Sequence, residues 1–425
     1  MSELSIRAAA REAPDAPALI TLARTYTFGE LAALAAKHEP ARGAEPTPLC
    51  AAPTLQSVLD LYAHLDAQRP VAMLHHKLSR DARAAQADHA NRAVPDGTLA
   101  VLFTSGSTGT PRGVILSRAA FLASARASAA HLGARAGDAW LVALPLAHTG
   151  GLAALLRALV HRIPAVFLDR DFDPAATRLL LARATLASLV PTQLEALLDD
   201  AAWRPSPTLR AILLGGAAAP APLLARAAAR GVPFLTTYGM TETWGQVATQ
   251  SIDRAGDPHA PLVPLPDVSI TAGTIDHPAP IKISTPTRMT SYLDLPEDGG
   301  RKTEVETRDL GWLSGDGCLH IVGRTDDVII SGGENVHPAL VEDILATAPG
   351  VAACCAFGAP DARWGQIVVA AVVPAPDFDA DLALAHCAAR LAPHQRPRRL
   401  IATPSLPLGP TGKIDRRACA RLATP

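Results

Sequence analysis

At 425 residues the chain is too long for one compact core, so two or more domains are expected. With 48% hydrophobic and 19% charged residues it is globular rather than disordered. Lysine plus arginine number 39 against 40 aspartates and glutamates, which offers no basic surface for nucleic acid or anionic lipid and no acidic tail.

In chain order, TYTFGELAALAA reads as a strand end running into a helix, and LQSVLDLYAHL (55–65) has apolar residues at helical spacing. VAMLHH (71–76) and LAVLFT (99–104) are short buried strands. A Gly/Ser/Thr loop and a helix from about Arg118 to Leu132 follow. WLVALPL (140–146), PAVFL (164–168), ASLVPT (187–192), AILLGG (211–216) and PFLTTYG (233–239) read as further strands between helical Ala/Leu runs. This repeated β-α-β order predicts a parallel sheet with helices on its faces. After about residue 260 the segments shorten and become rich in Thr, Pro and Gly, predicting a β-rich subdomain. From Asp327 a compact α+β pattern of about 100 residues begins, the size of a small domain.

None of the six cysteines forms a CxxC pair or zinc-ligand spacing, and free thiols fit a reducing, cytoplasmic setting. Adjacent Cys354 and Cys355 read as core residues. The N-terminal segment shows no signal peptide. The longest uncharged stretch, Ala139 to Leu156, is broken by Pro145, Gly150 and Gly151, so no membrane span is expected.

Four local signals carry chemistry. Thr104, Ser105, Gly106, Ser107, Thr108, Gly109 and Arg112 lie between a strand and a helix. Hydroxyls and glycine amides at this density can wrap polyphosphate oxygens, although GxxxxGK[ST] is absent and a flexible turn is the alternative. Tyr238-Gly239-Met240-Thr241-Glu242 places a Thr-Glu pair after an apolar run, suited to a phosphate oxygen and a magnesium ion or to an ordinary helix start. Asp309 and Arg324 end neighbouring strands and suit a ribose diol or a surface hairpin with an ion pair. Lys413, in PTGKID, sits on a glycine-containing loop near the C-terminus, suited to neutralising charge or to plain solvation.

Taken together, in this order, the four resemble the adenylate-forming superfamily of acyl-CoA ligases, luciferases and peptide-synthetase adenylation domains, over nearly the whole chain. The resemblance implies an α/β fold. It has a large N-terminal domain (1–325) of parallel and mixed sheets with a β-rich subdomain, and a small mobile α+β C-terminal domain (327–425). Asp326 would be the hinge. It implies ATP, Mg²⁺ and coenzyme A, with a small-molecule carboxylate as the other partner and a homodimer as one open arrangement. Thr104–Gly109 and Arg112 would hold phosphates, with Arg112 where the family usually has Lys. Gly215, Gly216, Ala217, Tyr238 and Gly239 would contact adenine, and Thr241 the α-phosphate. Glu242 would hold the metal, Asp309 and Arg324 the ribose. Arg308 stands where a Gly is usual. Lys413 would serve adenylation, His148 (in PLAHTGG) would gate the acyl site, and Gly332 and Gly333 would admit the pantetheine arm. The segment before Val101 is shorter than usual for the superfamily, so part of the N-terminal subdomain is expected to be trimmed.

A finer resemblance, through SLVPTQL (188–194), LLGGAA (213–218), TRDLGW (307–312) and ISGGENVHP (330–338), is to the o-succinylbenzoate–CoA ligase family of menaquinone biosynthesis. It implies that Arg157, Ser188 and Gln246 contact a dicarboxylate, Arg157 holding the carboxylate that is not activated. A solvated helix arginine is the alternative for Arg157. Other aryl-acid ligases, a stand-alone enzyme loading a carrier protein and a non-catalytic relative stay open.

Overall fold

The computed structural model describes residues 3–40, 43–104, 111–295, 304–408 and 414–423. The chain divides into two compact units, one of residues 1–218, 227–269 and 283–305, the other of 219–226, 270–282 and 306–425.

The first unit holds two sheets. In the larger, Ala211–Leu214 runs parallel to Leu186–Leu189 on one side and Phe234–Met240 on the other. Trp140–Val142 lies parallel between Leu186–Leu189 and Ala165–Phe167, and Pro17–Ile20 continues the parallel set. Its outer strands, Thr25–Thr27, Gly245–Thr249 and Val263–Pro264, are antiparallel. The smaller sheet runs in the order Ser291–Tyr292, Arg112–Ser117, Thr98–Thr104, Val71–His75, Thr47–Ala51. The apolar runs thus form buried strands as expected. Helix Arg118–Leu132 buries one face, and helices Leu55–Asp66 and Thr149–Val160 are buried on nearly all sides, in a core that includes Phe28, Phe121, Trp140, Leu155 and Trp244. Thr27 caps the helix Phe28–Ala35 through a reciprocal box with Glu30, the local signal behind the strand-to-helix turn.

Two expected strands end early. WLVALPL is extended only to Val142, because the segment then turns at Pro145, and His148 becomes the N-cap of Thr149–Val160. ASLVPT is extended only to Leu189, and Pro191 opens a helix as its first residue.

The second unit carries a four-stranded sheet, Ser269–Thr271, Ala279–Ser284, Glu304–Leu313 and Leu319–Arg324 in that order. It also carries a sheet built on the long hairpin Val351–Asp361 and Gly365–Pro374. Alternation in that hairpin buries Ala356, Val368 and Ala370 on one face and Cys355, Phe357 and Ala371 on the other. Cys354 and Cys355 therefore face opposite ways. Burial raises both thiols above their ordinary range, as befits packing residues. No helix among the described residues is long and apolar enough to cross a membrane.

Candidate active site

Most of the expected residues of the first unit lie at strand ends. Strand Phe234–Met240 delivers Tyr238 and Gly239, then turns through a short 3-10 segment, Thr241–Thr243, before reversing into Gly245–Thr249. A Cβ on Gly239 would lie 1.7 Å from the Gly245 carbonyl oxygen, so the reversal itself demands glycine there. Trp244 closes the turn in the left-handed region (φ 53°) although it carries a large side chain. Its fully buried ring lies edge-on to Phe121 at 4.9 Å, and its Nε1 donates to the Ser117 carbonyl at 3.1 Å. The core therefore anchors the turn that presents Thr241 and Glu242.

Glu242 is half-buried, and its Oε1 accepts a 2.9 Å hydrogen bond from the Tyr292 hydroxyl. Its Oε2 takes no hydrogen bond among the described residues. Thr241 Oγ1 accepts from Thr149 Oγ1 at 3.2 Å. Among the described residues no group of three or more His, Cys, Asp or Glu side chains is placed to hold a metal alone. A magnesium ion that takes most of its oxygens from phosphates and water needs only one such carboxylate, so the residues fit a nucleotide-bound Mg²⁺ at Glu242.

Thr104 and Arg112 are register partners in the smaller sheet, and Thr104 Oγ1 donates to the Arg112 carbonyl at 3.4 Å. The expected phosphate-binding residues between them, Ser105, Gly106, Ser107, Thr108 and Gly109, lie outside the described residues, as does Lys413. Gly215, Gly216 and Ala217 follow the C-terminal end of strand Ala211–Leu214, where open α/β sheets place their ligands.

His148 belongs to a histidine cluster that no spacing in the sequence marks. The His75 ring lies 5.2 Å from that of His148 and stacks on His76 at 4.9 Å, and His76 Nε2 meets Asp171 at 2.8 Å. The Lys77 backbone N–H donates to His75 Nδ1 at 3.1 Å. Burial first, then the neighbouring His76 and Lys77, lowers the His75 pKa below the ordinary histidine value, against a smaller opposing pull from Asp171.

Arg157 is 4% exposed, which removes the solvated-helix reading. Its Nη2 donates to Ser124 Oγ at 3.1 Å, and its guanidinium lies 5.6 Å from the Trp140 ring centroid. Its Nε is buried without a partner, and no carboxylate pairs with it among the described residues. Burial alone lowers its pKa to about 10. Trp140 Nε1 donates to Ser188 Oγ at 3.1 Å, and Ser128 Oγ donates to Gln246 Oε1 at 2.9 Å. Arg157, Ser188 and Gln246 are thus gathered around Trp140 and the serines one turn apart on Arg118–Leu132. That face shows in the sequence only as two serines in an alanine-rich helix.

In the second unit Asp309 and Arg324 are register partners, with Arg324 Nη1 to Asp309 Oδ1 at 3.2 Å. The hairpin alternative thus describes the geometry, and the pair also presents the carboxylate and the donor that a ribose diol needs. Arg308 Nη1 donates to Asp326 Oδ2 at 2.9 Å, and Arg324 lies 3.7 Å from the same oxygen. Desolvation works to raise the Asp326 pKa, but the bonds from Arg308 and Thr325 and the nearby arginine charges outweigh it and hold the carboxyl below its ordinary range. Gly332 and Gly333 form a two-residue turn with φ of 63° and 86°, a conformation that calls for glycine at both positions.

Comparison with known proteins identifies the family. The model of the AMP-binding enzyme family matches residues 45–280, and that of the AMP-binding enzyme C-terminal domain matches 340–413. The chain belongs to the AMP-binding enzyme family. It is 34% identical to the 2-succinylbenzoate–CoA ligase of Bacillus cereus over 76% of this chain and 70% of that protein. It is also similar to the o-succinylbenzoate CoA synthetase of Bacillus subtilis. In the complex with the acyl-adenylate intermediate the TM-score is 0.85 at 28% identity, covering 97% of this chain and 96% of that one. In the complex with ATP and magnesium ion the TM-score is also 0.85, at 27% identity over 97% and 98%.

Proposed function

We propose that the protein is an ATP- and magnesium-dependent ligase that converts o-succinylbenzoate to its coenzyme A thioester. In the first step an oxygen of one substrate carboxylate attacks the α-phosphorus of ATP. The new O–P bond forms as the bond to pyrophosphate breaks, giving the acyl-adenylate. In the second, the coenzyme A sulfur attacks the acyl carbon. The C–S bond forms, the C–O bond breaks, AMP leaves with its electron pair and the thiol proton passes to solvent. No side-chain nucleophile is required.

The carrying observation is Arg157, a buried guanidinium without a carboxylate partner among the described residues. An unpaired buried charge costs several kcal/mol, and the spectator carboxylate of a dicarboxylic acid would offset that cost on binding. Ser188 and Gln246 shape the same wall, and His148 borders the acyl group. Thr241 and Lys413 would meet the charge that builds on the α-phosphate, a kind of preorganised contact whose loss typically costs roughly 10²–10³ in rate. Glu242 would hold Mg²⁺, which supplies charge neutralisation on the phosphates when bound. Asp309 and Arg324 would hold the ribose, and Gly215, Gly216, Ala217, Tyr238 and Gly239 the adenine. Thr104–Gly109 and Arg112 would cradle the outer phosphates, and Gly332 and Gly333 leave room for the pantetheine arm. Free thiols among the described cysteines support a cytoplasmic setting.

Pyrophosphate release measured across aryl acids tests the reading. Turnover is expected with o-succinylbenzoate and little with benzoate. No turnover with o-succinylbenzoate alongside activity on benzoate would overturn the substrate.

A further inference from the structure

Neither half of the link between Glu242 and Arg112 is visible in the sequence, and the structure joins them through one side chain. The segment Met289–Leu293 runs between the two elements that carry them. The Met289 N–H donates to the Glu242 backbone carbonyl at 2.7 Å, and Tyr292 pairs in register with Val114 on strand Arg112–Ser117. The Leu293 N–H donates to the Gly113 carbonyl at 2.8 Å. A Cβ on Gly113 would stand 2.2 Å from Leu293 Cδ1, so the Leu293 side chain packs directly over that glycine. The Tyr292 side chain then does two things. Its hydroxyl donates to Glu242 Oε1 at 2.9 Å, and its ring lies 3.5 Å from the Arg112 guanidinium carbon, measured to the centroid.

We infer that Tyr292 is a positioning residue that aims the metal-binding carboxylate and the phosphate-binding cation of the nucleotide site together. The inference rests on the functional reading above. By occupying Oε1, the phenol orients Glu242 so that Oε2 is presented to the ion, as partners behind metal ligands commonly do. By lying against the guanidinium, the ring fixes its plane. This gives a physical reason for arginine rather than lysine at position 112. A planar delocalised cation can stack flat on an aromatic face, whereas an ammonium presents a point charge on a flexible stem.

Calorimetric titration of the full-length protein with ATP, in excess Mg²⁺ and separately in EDTA, separates the two contacts. Tyr292→Phe keeps the ring and removes the hydroxyl. It should weaken ATP binding in Mg²⁺ by about tenfold, the lower end of what loss of such a partner typically costs, and leave binding in EDTA unchanged. Tyr292→Leu should weaken both. Thermal unfolding of ligand-free Tyr292→Phe should match the wild type. Wild-type binding by Tyr292→Phe in Mg²⁺, or equal weakening in Mg²⁺ and EDTA, overturns this inference alone. Failure of the wild-type protein to bind ATP under either condition overturns the functional reading and this inference with it.

Discussion

Arg157 shows how one residue can be costly to the fold and useful to the site. Its guanidinium lies 5.6 Å from the Trp140 ring centroid in the core, its Nη2 reaches Ser124, and its Nε has no partner among the described residues. Methionine would keep the apolar contact and remove the charge. Replacing buried charges with well-packed apolar side chains is often neutral or stabilising by about 1–4 kcal/mol. Arg157→Met should therefore raise the unfolding temperature of the ligand-free protein. It should also raise KM for o-succinylbenzoate far more than for a monocarboxylic aryl acid. A lower unfolding temperature with equal loss on both acids would make Arg157 a structural residue.

At the scale of elements, the helix Thr149–Val160 matters most, because it begins at His148 and carries Arg157. Its entry is set by Gly151, where an added Cβ would sit 2.3 Å from the Leu144 carbonyl oxygen and 2.4 Å from that of Pro145. At Gly150 an added Cβ would meet only the end of the Leu144 side chain, at 2.8 Å. Gly151→Ala must push the turn off the helix and should cost about 1–3 kcal/mol, the usual range for overpacking. Gly150→Ala should cost much less, since a leucine terminus can move. Urea denaturation of the two variants checks this, and equal midpoints would refute the steric account. The element types here were legible from the sequence. Apolar runs of four to seven residues set the parallel strands, while Pro145 and Pro191 decided where two of them stop. Of the candidate site, the residue pattern alone marks what is local in sequence, as in Thr241-Glu242, while dispersed residues such as Arg157, Ser188 and Gln246 are reached only through the family resemblance. Tyr292, His75 and Ser124 act across long sequence separations, and nothing beside them in the chain marks the partner each finds.

For the whole molecule the decisive residue is Lys413, which the proposed mechanism uses in one step and must clear from the other. On either side of it in sequence, Leu408 bridges Ile414, and Asp415 caps the helix Arg416–Arg421 while its N–H donates to the Pro407 carbonyl. Arg416, in the same short stretch, bonds Glu342 and lies 3.4 Å from Asp327, the residue after the proposed hinge. Within the second unit Arg416, three residues after Lys413 in sequence, is thus tied to Asp327, next to the proposed hinge. In the proposed mechanism only adenylation would use the lysine charge at the α-phosphate, and thiol attack would need that space vacated. Lys413→Ala should therefore lower ATP–pyrophosphate exchange by about 10²–10³, the range for losing one preorganised charge contact. Thioester formation from supplied acyl-adenylate and coenzyme A should stay within a few-fold of wild type. Stopped-flow measurement of the two half-reactions separates these outcomes, and equal loss in both would contradict alternation between two arrangements of the small domain.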